Sequence, residues 1–289
     1  MRDFDYLEPT RADEVCALLR SHGEDARLIA GGTALMLALR QRLVMPAALI
    51  SLAKVASLRE IVAHDTHLHI GAGCTHTAIA TDAAVRAIVP TFAQLEGKLA
   101  NAQVRNQGTL GGNLAYADPT TDPPGCLVAM GARAVVHGPS GERTLPMSAF
   151  LVDYFETALQ PDEVLVAVQV PRPGAQARTT YLRHLRTPAD HRPMANVSVH
   201  TDTGADGQPV CRVVVAAATP LPWSVPHADQ LCDPQVRLRQ LEDFAAQAAA
   251  DMAPLSDTRC EPAYRRDVVR VLLTRALARH FSLEDGVTP

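Results

Sequence analysis

Two stretches of this 289-residue chain offer bare backbone where chemistry can happen: AGGTALM at 30–36 and GTLGGNLA at 108–115. Glycine admits positive φ and lets a ligand come close to the main chain, because no Cβ intervenes. Successive N–H groups in such a turn form an anion-binding concavity. The first stretch follows the apolar RLI and runs into the helical-looking TALMLALRQRL. Two glycines therefore stand where a strand ends and a helix N-terminus points. The second stretch offers another concavity. Neither contains Lys or Arg, so an anion there would be neutralised by main-chain dipoles, which suits the diphosphate of a larger cofactor. Taken singly, each stretch also reads as an ordinary turn.

Other chemistry-bearing patterns lead less far. GAGCTH at 71–76 begins like G-x-G-x-x-G but has His76 where the last glycine belongs. EGKL at 96–99 places Gly97 before Lys98, yet Leu99 replaces the Ser or Thr of a P-loop and no glycine stands five residues earlier. A nucleotide cofactor would need a fold other than these two. His64, His67 and His69 invite a metal reading, and His67 and His69 would face the same way on a strand. No carboxylate or cysteine completes a set of ligands, so we expect no metal. Cys16, Cys74, Cys126, Cys211, Cys232 and Cys260 are scattered without a C-x-x-C and read as buried, reduced thiols. Asp118 and Asp122 in ADPTTDPP read first as turn caps. No Ser–His–Asp or Cys–His set stands out, and no catalytic residue is assigned.

The elements that must hold these residues follow from periodicity. PTRADEVCALLRSHG reads as a helix with Thr10 as N-cap and Gly23 as its stop. ARLIAGG, AALISLAKV and THLHIGAGCTH read as strands, and TDAAVRAIVPTFAQLEGKLA as a helix broken near Pro90. The segment from Asn101 to about Asp122 reads as a long loop. Helix, strand, a turn at Pro139–Gly141 and a further strand follow, then a strong strand in DEVLVAVQVPRP. The polar segment after it is the best domain boundary. Strands near 179–185, 195–201 and 210–218 precede helices near 234–252 and 261–280. The order, strands before helices, gives an α+β class.

Composition narrows the function. Hydrophobic residues make up 47% of the chain and the formal charge is −4, which describes a globular protein without an electrostatic footprint for nucleic acid. No apolar run approaches the roughly 20 residues of a membrane span. The N-terminus MRDFDYLEPT lacks a secretory pattern, and a cytoplasmic location is expected.

Beyond these readings, RLIAGGTALM followed by NAQVRNQGTLGGNLAYADPTTDPPGCLVAMGA resembles the FAD-binding medium subunit of the molybdenum hydroxylases, the family of carbon monoxide and xanthine dehydrogenases. The likeness includes the Arg-Asn before the second loop, Gly-Gly-Asn within it, Asp-Pro after it and Asp122 further on. PDEVLVAVQVP is similar to the strand that closes the family's FAD domain. The resemblance implies a two-subdomain FAD-binding domain of the PCMH type over 1–173, with subdomains near 1–55 and 56–173. A small α+β C-terminal domain, an antiparallel sheet plus helices, follows over 178–289.

The same resemblance implies a site. The first diphosphate loop is Ala30, Gly31, Gly32, Thr33 and Ala34, flanked by Leu28, Ile29 and Leu35. The second is Gly108, Thr109, Leu110, Gly111, Gly112 and Asn113. Asp122 matches an acid near the cofactor's sugar hydroxyls; Leu99, Val164 and Leu165 match apolar positions of the flavin pocket. Tyr181 is placed to stack on the isoalloxazine and Arg183 to stabilise its negative charge. Thr33-Ala34 departs from the His-Ser or Thr-Asp of many relatives, and the four-cysteine insertion of some relatives is missing. FAD, held non-covalently, is then the chain's one redox centre. The implied partners are a large molybdopterin-binding subunit and a small subunit with 2Fe–2S clusters, as a heterotrimer or a dimer of heterotrimers. Electrons would pass from those clusters to FAD and on to an external acceptor. Two alternatives stand beside this: a self-sufficient FAD-dependent oxidoreductase of the same fold, and a non-catalytic scaffold.

Overall fold

The computed structural model describes residues 3–187, 190–204, 206–233 and 235–283. The chain forms two compact units, Met1–Ala117 with Ala132–Arg172, and Asp118–Gly131 with Pro173–Pro289. The segment 118–131 lies inside 1–173 in sequence and packs in the second unit.

The first unit holds two sheets. Strands β1 (Asp5–Leu7), β2 (Ala26–Ile29) and β3 (Ala48–Ser51) form a parallel sheet in the order β1-β3-β2. Every residue of β3 is buried, as a parallel strand covered on both faces requires. Helix α1 (Ala12–His22) connects β1 toward β2, and α2 (Leu35–Arg40) lies between β2 and β3. Val15, Cys16 and Leu19 of α1 join Ile50, Leu58 and Val164 in one core cluster. Gly23 ends α1 at φ 54° as expected, but Arg11 rather than Thr10 is its N-cap residue. Thr10 instead donates its main-chain N–H and its hydroxyl to Glu14.

The second sheet is antiparallel. Its order is β4-β5-β10-β6-β7, from β4 (Ile61–Ala63), β5 (His67–Gly71), β6 (Arg133–Gly138) and β7 (Gly141–Pro146). Two short strands, β8 (Leu151–Asp153) and β9 (Glu156–Thr157), make a separate ribbon, and β10 (Val164–Pro171) is the central strand. Helices α3 (His76–Thr81), α4 (Ala83–Ile88) and α5 (Pro90–Gly97) follow β5. The break expected near Pro90 separates α4 from α5, with Pro90 at the first turn of α5, where a missing N–H costs nothing.

The region read as a loop from Asn101 onward is different. It contains α6 (Ala102–Gln107) and α7 (Leu110–Tyr116). Each begins at a polar cap: Asn101 accepts from the Val104 N–H and Thr109 from the Gly112 N–H. These caps satisfy orphan N–H groups that a short helix cannot satisfy itself.

In the second unit, α8 (Pro123–Ala129) comes from the 118–131 segment; the 4-residue α9 (Met147–Phe150) belongs to the first unit. Strands β11 (Arg178–His184), β12 (Ala195–Thr203), β13 (Pro209–Ala216) and β14 (Trp223–Ser224) form an antiparallel sheet in sequence order. Helices α10 (Leu238–Asp251) and α11 (Pro262–His280) cover it, and Val197, Val199, Val213 and Val215 share their core cluster with Leu241, Leu273 and Leu277. Side chains alternate along a strand, so Asn196 and Ala216 face the other way, where Gly125 of α8 packs on them. Trp223 packs against the same core from a half-buried position.

All six cysteines are free; four are buried, but Cys232 and Cys260, read as buried, are only half-buried. Burial pushes the Cys74 thiol up to about 11 and that of Cys211 to about 12. Among the described residues no helix is long and apolar enough to cross a membrane.

Candidate functional site

The first glycine segment leaves the carboxyl end of β2, the edge where ligands bind in open parallel sheets. Residues Leu28 to Met36 are all half-buried. Gly32 has φ 68°, a conformation that lets the chain turn toward α2. Ala34 is the N-cap residue of α2 and supplies no capping side chain. Among the described residues, none of the main-chain N–H groups from Ala30 to Leu35 donates to a protein acceptor. Six consecutive donors are thus left without a partner in half-buried surroundings, where an unmet donor is costly.

The second segment uses its amides differently. Gly108 donates to Val104 O at 2.6 Å, Leu110 to Cys74 O at 3.0 Å and Gly111 to Ala72 O at 2.8 Å. The Gly112 N–H goes to Thr109 Oγ1 at 3.1 Å, and that of Asn113 to Thr109 O at 2.9 Å. Within 108–113, the Thr109 N–H is the one without a protein acceptor among the described residues. Asn113 Oδ1 is buried with no hydrogen-bond donor. The concavity expected here is therefore mostly the start of a capped helix docked on residues 72–75.

The two segments adjoin. A Cβ on Gly31 would lie 2.0 Å from Gln107 O and 2.8 Å from Gly108 Cα. Gly31 is glycine because another stretch of backbone occupies that space. Of the apolar residues expected at the site, Leu99 and Leu110 are buried, and Leu28, Ile29 and Leu35 are half-buried, as is Thr33. Val164 belongs to the core cluster with Val15 and Ile50, and its neighbour Leu165 is buried as well. A diphosphate fits this donor set: adjacent unclaimed amides, with no side chain on Gly31 or Gly32.

Asp122, Tyr181 and Arg183, expected as separate contacts, come together in the second unit. Asp122 is 1% exposed. The Tyr181 hydroxyl donates to its Oδ1, and Arg183 donates to its Oδ2 at 2.9 Å. Burial, then the Asp122 charge, pushes the Tyr181 phenol well above its ordinary value. Asp122 does not cap α8 through its side chain, which corrects the turn-cap reading. Asp118 does hold its turn, accepting from the Thr120 N–H at 2.9 Å, and pairs with Arg192 at 3.0 Å.

His64 and His67 stack with ring centroids 4.6 Å apart, and among the described residues no group of three or more ligating side chains could hold a metal ion. Sequence reasoning missed a buried pair behind the second segment: His76 Nδ1 lies 2.5 Å from Glu96 Oε2. The two residues stand 20 apart in sequence, a spacing that carries no signal for pairing.

Comparison with known proteins covers most of the chain. The family described as "FAD binding domain in molybdopterin dehydrogenase" matches residues 2–173, and "CO dehydrogenase flavoprotein C-terminal domain" matches residues 181–280. The chain is 32% identical over 279 residues to the carbon monoxide dehydrogenase medium chain of Afipia carboxidovorans, covering 96% of each. It superposes on a chain of the carbon monoxide dehydrogenase from Hydrogenophaga pseudoflava with a TM-score of 0.90 and 28% identity, over 97% of this chain and 98% of that one. For quinoline 2-oxidoreductase from Pseudomonas putida 86 the TM-score is 0.89 at 27% identity, with the same coverage.

Proposed function

The chain belongs to the family of FAD-binding flavoproteins of the molybdopterin dehydrogenases, and we propose that it relays electrons between the 2Fe–2S clusters of a small subunit and an external acceptor. It is a flavoprotein oxidoreductase subunit of the medium-chain type. In the proposed assembly a large subunit holds the molybdenum cofactor and hydroxylates the substrate. FAD, when bound, supplies one- and two-electron transfer, and the protein contributes binding, orientation and tuning.

The single observation that carries the reading is the run of unclaimed amides at Ala30–Leu35, set against the Gly108–Asn113 segment through Gly31. These amides would hold the diphosphate by hydrogen bonds from fixed dipoles. Thr109, through its free N–H, and Asn113, through its side-chain amide N–H, would flank it. Leu28, Ile29, Leu35 and Leu99 would exclude water from its apolar neighbours. Asp122, Tyr181 and Arg183 keep, as a separate proposal, the cofactor contacts that the resemblance implies. None of these residues needs to move a proton on the organic substrate.

The test is purification of the chain with its natural partners, followed by visible spectroscopy and metal analysis. Flavin bands with molybdenum and iron in the assembly, and an isolated chain that binds FAD but hydroxylates nothing, are expected. An assembly free of molybdenum and iron, or turnover of an organic substrate by the isolated flavinated chain, overturns the reading.

A further inference from the structure

Behind the second glycine segment, the only titratable side chains of α3 and α5, among the described residues, are His76 and Glu96, both buried at 4% and 0% exposed. Their bond is short, 2.5 Å between His76 Nδ1 and Glu96 Oε2. The other carboxylate oxygen, Oε1, is buried without a donor. A buried carboxylate with an unmet oxygen is a poor way to fill a core, since an apolar pair of similar volume avoids the desolvation penalty altogether. The pair therefore calls for a reason other than stability.

The geometry supplies one. His76 donates its main-chain N–H to Gly108 O at 3.1 Å. The edge of its ring, Cδ2 and Nε2, stands 3.2 and 3.4 Å from where a Gly108 Cβ would be. Thr75 and Thr109 face each other in an isolated antiparallel bridge. Glu96 fixes the rotation of the imidazole from α5, the imidazole abuts Gly108, and Gly108 sets the direction of the Thr109 N–H, the unclaimed donor of that segment. We propose that His76 and Glu96 are a positioning pair for the cofactor's diphosphate, holding the Gly108–Thr109 turn against the first glycine segment. This rests on the FAD-binding reading above and adds residues to it that touch no ligand themselves. A directional hydrogen bond holds a ring orientation that packing alone leaves free to rotate, which is how supporting residues keep a binding site within its working tolerance.

The experiment titrates the full chain, stripped of flavin, with FAD by fluorescence quenching, and follows thermal unfolding of the same preparations. The double variant H76F/E96L keeps a ring against Gly108 and removes the hydrogen bond and both polar groups. Its FAD dissociation constant should rise about tenfold or more while the unfolding temperature of the stripped chain stays within about 4 °C of wild type. H76N, whose amide N–H replaces the Nδ1–H toward Glu96, should stay within about threefold of the wild-type constant. Should the double variant not fold, H76F/E96Q, which leaves no buried carboxylate, decides in the same way when set against H76N. FAD binding by H76F/E96L as tight as wild type overturns the pair's role. So does a loss of affinity that tracks a loss of unfolding temperature in both variants, the mark of a plain core contact. A wild-type chain that fails to bind FAD sinks the cofactor reading itself, an outcome distinct from the other two.

Discussion

The two glycine segments look alike as sequence and behave unlike as structure. From Ala30 to Leu35 the amides have no protein acceptor among the described residues, and the following helix starts without a capping side chain. From Gly108 to Asn113 nearly every amide is engaged, three of them by the backbone at Val104, Cys74 and Ala72. Glycine thus serves two ends here. At Gly32 it supplies a positive φ of 68°; at Gly31 and Gly111 it lets two backbones meet, and at Gly108 it leaves room for the His76 ring. On the proposed reading the first segment binds, and the second mainly presses against the first and holds it. Counting glycines does not separate these roles; following each N–H to its acceptor does.

The largest effect should come from the contact that joins them. In G31A the new methyl would sit 2.0 Å from Gln107 O, and backbone cannot rotate away as a side chain can. We expect a loss of about 3 kcal/mol in urea unfolding and no flavin retained on gel filtration, since overpacking at this severity lies at the upper end of its usual range. Normal FAD binding by G31A would break the claim that the segments must touch.

Acid response comes next, and it should spare the glycine segments, which contain no titrating side chain. It should fall on the second unit. Burial, with Arg212 nearby, lowers His200 to about 4; burial, with Arg178 and His200 nearby, lowers His280 to about 4. His200 bonds Thr179 at 2.9 Å, and His280 bonds Thr180 at 3.0 Å and Thr201 at 2.9 Å. Both are folded in their neutral form, so below the ordinary histidine pKa of about 6.5 the unfolded chain binds more protons than the folded one. Their contribution is present above about pH 6.5 and is lost as pH falls toward 4, with about 2 kcal/mol lost per histidine between pH 7 and 5. Trp223, the single tryptophan, lies on β14 of this unit, so its fluorescence in urea at the two pH values reads the change directly. Equal midpoints at pH 7 and 5 would show that these histidines are not buried neutral.

How far the sequence carried follows from the range of the forces involved. The glycine turn after β2 was legible because an apolar strand and two glycines are contiguous, and the break at Pro90 because proline acts on its own helix. The helices at 102–107 and 110–116 were not, because their stability comes from the side-chain caps of Asn101 and Thr109 and their apolar pattern is too short to register. Asp122 with Tyr181 and Arg183, and His76 with Glu96, are contacts across 59, 61 and 20 residues. Nothing local marks such pairs. The first was approached through family resemblance, and even that placed the three residues as separate contacts rather than as one buried ion cluster.

Two smaller substitutions sharpen the contrast. In G32A the Cβ would first meet Ile29 Cδ1 at 3.3 Å, a side chain that can yield, so the penalty is the left-handed backbone alone, about 1 kcal/mol. FAD affinity should nonetheless fall about tenfold, because the turn that aims the amides relaxes; an affinity loss no greater than the stability loss would deny the amides their role.

G112A is the mildest and the most discriminating. Gly112 is exposed and helical, so alanine gains about 1 kcal/mol of helix propensity. Its Cβ would lie 2.9 Å from Thr109 Oγ1, and turning that hydroxyl aside forfeits the cap, about 1 kcal/mol in the other direction. The two nearly cancel, and unfolding should shift by less than about 0.5 kcal/mol. If the second segment acts mainly as a support, FAD affinity measured by quenching should also stay within about threefold, under 1 kcal/mol. A stable G112A chain that no longer binds FAD would mean that the cofactor comes as close to Gly112 as to Gly32, and the division between a binding segment and a supporting one would have to be given up.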